Sequence, residues 1–183
     1  IDAIGLVFYD KSPRYVSNEQ ADRISRICPA FVSRVALFKD ADKQMIETVL
    51  QQVEIDLIQF HGSESSEFCE QFERPYIKAL GMKSAECDAA YLQTAAKKYH
   101  SSKALLLDGH APGEAGGSGE TFDWSVIGTI NRPVILAGGL TPDNVKQAIG
   151  MVHPFAVDVS SGVESTPGKK DKAKVAAFMQ QIV

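Results

Sequence analysis

The chain has 183 residues, of which 44% are hydrophobic and 23% charged, and it carries a formal net charge of −4 at pH 7. That is the composition of a soluble globular protein of one domain, residues 1–183, and the acidic balance excludes a broadly basic nucleic-acid surface while leaving room for a local anion site. The cysteines Cys28, Cys69 and Cys87 lie far apart with no Cys-x-x-Cys pair, which excludes a disulfide framework and points to a reducing, cytoplasmic compartment, and no apolar run approaches the ~20 residues of a membrane span.

In chain order the first element is the apolar run Ala3–Phe8, read as a buried strand. With no Met ahead of it, a strand this early leads us to expect that sequence upstream is absent. The loop Lys11-Ser12-Pro13-Arg14-Tyr15 follows, where Arg14 either holds a carboxylate through its two-pronged guanidinium or is simply solvated. Ser17 with Gln20 three residues on fits a capping box, and Ile24, Ile27 and Cys28 share one face of the helix it opens. A strand at Val32–Phe38 is followed, after Asp42, by Ile46, Val49, Leu50 and Val53 at helical spacing. The next strand, Asp56–Phe60, ends in Gln59-Phe60-His61-Gly62. His61 is open to three roles: acid or base, ligand, or structural hydrogen-bonder. No second His or Cys stands at metal spacing, so no metal is expected.

Glu64–Phe72 is a short helical candidate, Tyr76–Leu80 a strand, and Ala85–Tyr99 a longer Ala-rich helix. The strand Ala104–Leu107 runs into Asp108-Gly109, where the Asp is either a catalytic acid at a strand mouth or the start of a turn. The Gly-rich run 111–120 reads as a mobile lid or a plain surface loop. Gly138-Gly139 follow the strand Pro133–Ala137, and Thr141-Pro142 read as an N-cap and first helical position before Val145, Ala148, Ile149 and Val152. The strand Phe155–Val159 carries Asp158 and runs into Ser160-Ser161. A last helix starts near Asp171 and buries Val175, Phe178, Met179 and Ile182.

Strands alternating with helices mean a parallel sheet, and several of these strands are near-continuously apolar, as strands buried on both faces are. A closed barrel and an open doubly wound sheet both fit seven strands. In either, chemistry sits at the C-terminal ends of strands. The adjacent loops Gly138-Gly139 and Ser160-Ser161 offer backbone N–H groups and hydroxyls to a phosphate, or are two tight turns. Neither a dinucleotide fingerprint nor a Walker loop is present: Gly117-Ser118-Gly119 continues to Phe122, and Gly168-Lys169 is followed by Lys170.

Taken together, several stretches resemble the phosphoribosylanthranilate isomerase family of tryptophan biosynthesis. They are Ala3–Tyr9 with Lys11-Ser12-Pro13-Arg14, Gln59-Phe60-His61-Gly62, Leu107-Asp108, Gly116–Trp124, Leu136–Val145, Ala156–Glu164, and Pro167-Gly168 with Lys170-Asp171. The resemblance implies a (β/α)8 TIM barrel with strands 2–8 present and strand 1 and helix 1 missing. It implies an Amadori rearrangement of N-(5'-phosphoribosyl)anthranilate to 1-(o-carboxyphenylamino)-1-deoxyribulose 5-phosphate, with no cofactor. By the same resemblance Asp108 is the general acid, and Arg14, Asp158 and His61 bind substrate. Gly138, Gly139, Ser160 and Ser161 take the phosphate. The family's base is a Cys in a Lys-Ile-Cys-Gly stretch that this sequence lacks, so the 183 residues alone are expected to be inactive. A non-catalytic phosphate-binding fragment and a sister barrel such as indole-glycerol-phosphate synthase are the alternatives. A small phosphorylated substrate, no nucleic acid, no membrane and a monomer complete the expectation.

Overall fold

The computed structural model describes residues 1–84, 86–110 and 121–182. The Gly-rich run 111–120, with the first five residues of the resembling block Gly116–Trp124, lies outside the described residues. Two compact units, Ile1–Lys78 and Ala79–Val183, divide within a strand.

The first unit holds β1 (Ala3–Val7), α1 (Asn18–Ile27), β2 (Ser33–Phe38), α2 (Lys43–Gln52), β3 (Leu57–Phe60), α3 (Ser66–Cys69) and the start of β4 (Tyr76–Gly81). The pairs are parallel, with Val7 beside Leu37, Phe38 beside Phe60, and Phe60 beside Lys78. The helices begin where local chemistry demands. Ser17 and Gln20 form the expected reciprocal box at α1, and the Asp42 carboxylate accepts the Met45 N–H at α2. The core is aromatic: Phe8 stacks on Phe38 at 5.4 Å, and Phe60 meets Phe68, Phe72 and Tyr76 at 5.7 to 6.2 Å. Fully burying each such ring contributes on the order of 1.5–3 kcal/mol.

The second unit holds the end of β4, α4 (Ala89–Lys98), β5 (Ala104–Asp108), β6 (Val134–Leu136), α5 (Val145–Val152), β7 (Ala156–Val157), an antiparallel hairpin β8 (Glu164–Thr166) and β9 (Lys169–Lys170), and α6 (Lys172–Ile182). Leu107 pairs with Leu136, and Leu136 with Val157, again in parallel. All five residues of β5 are buried, which accounts for its unbroken apolar run. Strands β1 to β7 follow one another in chain order in a seven-stranded sheet. That order never reverses, as it does at the switch point of a doubly wound sheet.

Several expectations are corrected. β1 is not a buried strand: Ala3 and Gly5 are exposed and only Leu6 is buried, because β1 lies at an edge of the sheet with β2 as its neighbour. α4 starts at Ala89 rather than Ala85, since the Asp88 carboxylate accepts the Tyr91 N–H and sets the first turn there. Regular α5 starts at Val145, after a turn that Thr141 opens by accepting the Asp143 N–H on its hydroxyl and the Val145 N–H on its carbonyl. α6 buries Phe178 fully, while Val175, Met179 and Ile182 stay half-buried. No helix among the described residues is long and apolar enough to cross a membrane.

The apolar reading of β4 hides a charge. Lys78 is 2% exposed, and its ammonium donates to Glu64 Oε2 at 2.8 Å and to the Gly62 carbonyl at 2.5 Å. Glu64 in turn accepts the N–H groups of Asp40 and Gly62 at 2.8 and 2.9 Å. Two buried charges thus hold the loops that follow β2 and β3. Lys78→Met is expected to destabilise the chain by about 3–5 kcal/mol in urea unfolding, because it leaves the Glu64 carboxylate buried without its counter-charge. Adding Glu64→Gln should return part of that loss, since the amide oxygen still accepts a backbone N–H and no charge is stranded.

Candidate active site

The site grows from the ends of β5, β6 and β7 in the second unit. Leu105, Leu106 and Leu107 are at most 1% exposed and carry β5 through the core, which delivers Asp108 to the strand's end. Its carboxyl is buried, with Oδ2 3.3 Å from His110 Nδ1. A carboxyl after three leucines is costly to bury unless partnered, and the imidazole two residues on lies within ion-pair reach of it.

After β6 the chain turns through Gly138 and Gly139, both left-handed with φ of 78° and 62°. A Cβ on Gly138 would strike the Gly109 backbone and lie 2.9 Å from Asp108 Oδ1. The bare glycine therefore lets this loop pack directly beside the acid. Asn144 pins it from behind, donating to the Gly139 carbonyl at 2.9 Å and accepting the Thr141 N–H at 2.8 Å.

After β7 the Asp158 N–H bonds the Leu136 carbonyl at 2.8 Å, setting this loop against the last. A Cβ on Gly162 would overlap the Leu140 carbonyl, so the two loops touch backbone to backbone. Asp108, Gly138, Gly139, Asp158, Ser160 and Ser161 line one cavity. Those are all the site residues expected from this unit. A larger cavity among Met82, Lys83, Ser84, Cys87, Asp88 and Phe122 is less suited to acid chemistry, because the carboxylate of Asp88 is engaged in capping α4.

Arg14 and His61 belong to the first unit. Arg14 lies in a turn after β1, its N–H donating to Ser12 Oγ at 3.2 Å. His61 follows β3 and is 9% exposed, with its N–H on the Phe38 carbonyl at 2.8 Å. The Gln59 side-chain amide lies 3.0 Å from Nδ1. With the amide NH2 assigned as donor, Nδ1 is the acceptor and the ring proton sits on Nε2. Sequence reasoning missed His110 and Asn144. His110 had a signal: residues two apart in extended chain point the same way, so Asp-x-His places an imidazole beside the carboxyl.

The family profile described as N-(5'phosphoribosyl)anthranilate (PRA) isomerase matches residues 1–181. Curated relatives bearing the name N-(5'-phosphoribosyl)anthranilate isomerase include one from Pseudomonas fluorescens, 50% identical over 182 residues, covering 99% of this chain and 85% of its own. Another, from Neisseria gonorrhoeae, is 48% identical over 179 residues, covering 97% of this chain and 84% of its own. Among solved structures, phosphoribosyl anthranilate isomerase from Thermotoga maritima superposes with a TM-score of 0.87 at 43% identity, covering 98% of this chain and 87% of that one. A second, solved in complex with reduced 1-(o-carboxyphenylamino)-1-deoxyribulose 5-phosphate, gives 0.83 at 39% identity, covering 98% and 86%. A profile match along almost the whole length, joined to relatives half identical across it, means that this chain belongs to the N-(5'-phosphoribosyl)anthranilate isomerase family.

Proposed function

We propose that the chain isomerises N-(5'-phosphoribosyl)anthranilate to 1-(o-carboxyphenylamino)-1-deoxyribulose 5-phosphate in L-tryptophan biosynthesis, as a monomer of the cytoplasm. The observation that carries this reading is the single cavity shared by a buried carboxyl, Asp108, and two loops rich in N–H and hydroxyl donors. The (β/α)8 reading goes with it, the seven strands taking the places of strands two to eight, and is supported by their unreversed order.

Each part has a task. Gly138, Gly139, Ser160 and Ser161 hold the phosphate, and Asp158 contacts the substrate. Arg14 takes the anthranilate carboxylate, for which its planar guanidinium is suited. His61, with its proton on Nε2, donates a hydrogen bond to substrate. Asp108 gives its proton to the ribose ring oxygen, the C1′–O bond breaks, and the nitrogen lone pair forms a Schiff base. A base then removes the C2′ proton, giving an enolamine. Protonation at C1′ and loss of the hydroxyl proton leave the ketone. His110 beside Asp108 stabilises the carboxylate that the first step leaves behind.

The base is none of this chain's cysteines. Cys28 caps the end of α1 and donates to the Val32 carbonyl at 3.4 Å. Cys69 is buried in α3, and burial pushes its thiol up to about 12. The Cys87 sulfur does reach the last carbonyl of β4, on Gly81, at 3.3 Å, but burial raises its pKa as well. A thiol held protonated is a poor base.

Two outcomes are expected. In a chain carrying a cysteine-bearing βα unit upstream, Asp108→Asn should lower turnover by about 10²–10⁴-fold, and near-unchanged turnover would overturn the assignment of the acid. The 183 residues alone should bind the substrate without converting it. In the same preparation at neutral pH, iodoacetamide should leave Cys69 unmodified until the chain is unfolded, as read by mass spectrometry.

A further inference from the structure

The phosphate loop after β7 carries a feature that the reaction does not use. Four residues past Ser160 stands Glu164, whose side chain is 4% exposed. A buried negative charge this close in sequence to a site for a dianion repels the ligand that the site is built to take. Its partner is Lys170, across the hairpin in register with it. The Lys170 ammonium lies 2.9 Å from Glu164 Oε1 and donates at 2.9 Å to the Ser160 carbonyl. The lysine side chain is itself 48% exposed, so it reaches inward from the surface to make both contacts. Lys174 donates to the Glu164 carbonyl at 2.7 Å, and the Asp171 N–H to the Val163 carbonyl at 2.8 Å, which close the same segment from the start of α6.

The bond to Ser160 has a geometric effect. The Ser160 carbonyl and the Ser161 N–H belong to one planar trans peptide and point opposite ways. Holding the carbonyl toward the hairpin aims the Ser161 N–H away from it. Ser160 and Ser161 both line the cavity with Asp108 and Gly138. We propose that Lys170 is a positioning residue for the phosphate site, one that orients the Ser160–Ser161 peptide and cancels the charge of Glu164 without touching the anion. The inference rests on the phosphate reading of these loops given above.

Inorganic phosphate titrated into the 183-residue chain, followed by the amide signals of Gly138, Gly139, Ser160 and Ser161, separates the two claims. If the unsubstituted chain binds no phosphate at these amides, the phosphate reading itself fails. If it binds, Lys170→Met should weaken the affinity by about tenfold or more, while Lys170→Arg, which keeps the charge, stays near the original value. Adding Glu164→Gln to Lys170→Met should recover a clear part of the loss, because the uncompensated charge is gone. A purely structural lysine would lower the melting temperature and leave phosphate affinity unchanged in every variant, which would overturn the inference. Failure of the double variant to recover any affinity would overturn it too, since it would mean that cancelling the charge of Glu164 is no part of the lysine's role.

Discussion

The site depends on the register of three parallel strands in the second unit. With Leu107 beside Leu136 and Leu136 beside Val157, the strands give up their apolar character at the same level. Hydrogen-bonded backbone and buried leucines leave polar groups no place along the strands, so they collect where the strands stop. Asp108, the two glycines after β6, and Asp158 with the two serines after β7 share a cavity for that reason. A slip of one residue in β6 would turn its side chains to the other face and take Gly138 away from Gly109.

Charge is the second theme. Among the described residues, the Lys78–Glu64 and Lys170–Glu164 contacts are of different kinds. Lys78 with Glu64 is sealed, both side chains at 3% exposure or less, and ties loop backbones of the first unit. Lys170 with Glu164 is half open, the lysine side chain 48% exposed and the carboxylate buried. A sealed pair is costly to break and adds little beyond geometry. Each lysine also serves a loop carbonyl, Gly62 for Lys78 and Ser160 for Lys170.

Much of this was legible in the sequence. Strands read from short apolar runs agree with the observed ones to within a residue or two, as in β2, β4 and β5. The bounds of β1 agree as closely and only its burial differs, since a strand at a sheet edge has fewer neighbours to cover it, while β7 is shorter than read, Ala156–Val157 against Phe155–Val159. The cap at Ser17 was readable because it is local chemistry, whereas Asp42 was read only as the residue before a helical run and its carboxylate cap was not. The β8–β9 hairpin was missed although Pro167-Gly168 is a turn signal, because Glu164–Lys170 has no apolar alternation to mark strands. Lys78 was hidden by the apolar residues on either side. Its partner stands 14 positions earlier, and no periodicity connects them. The roles given to Arg14, Asp158 and His61 came from likeness to a family, because residue type and spacing left each of them open.

Gly138 has a consequence for how such a site can change. Every other residue type brings a Cβ, and a Cβ there meets the Gly109 backbone, which cannot rotate out of the way as a side chain does. The position therefore offers no graded series of variants from weaker to stronger binding. Ser160 and Ser161 reach the cavity with short side chains on a backbone that other residues can adopt. Under selection for a different affinity or a differently shaped anion, mutational drift is channelled to the loop after β7, while the loop after β6 is held still by geometry alone.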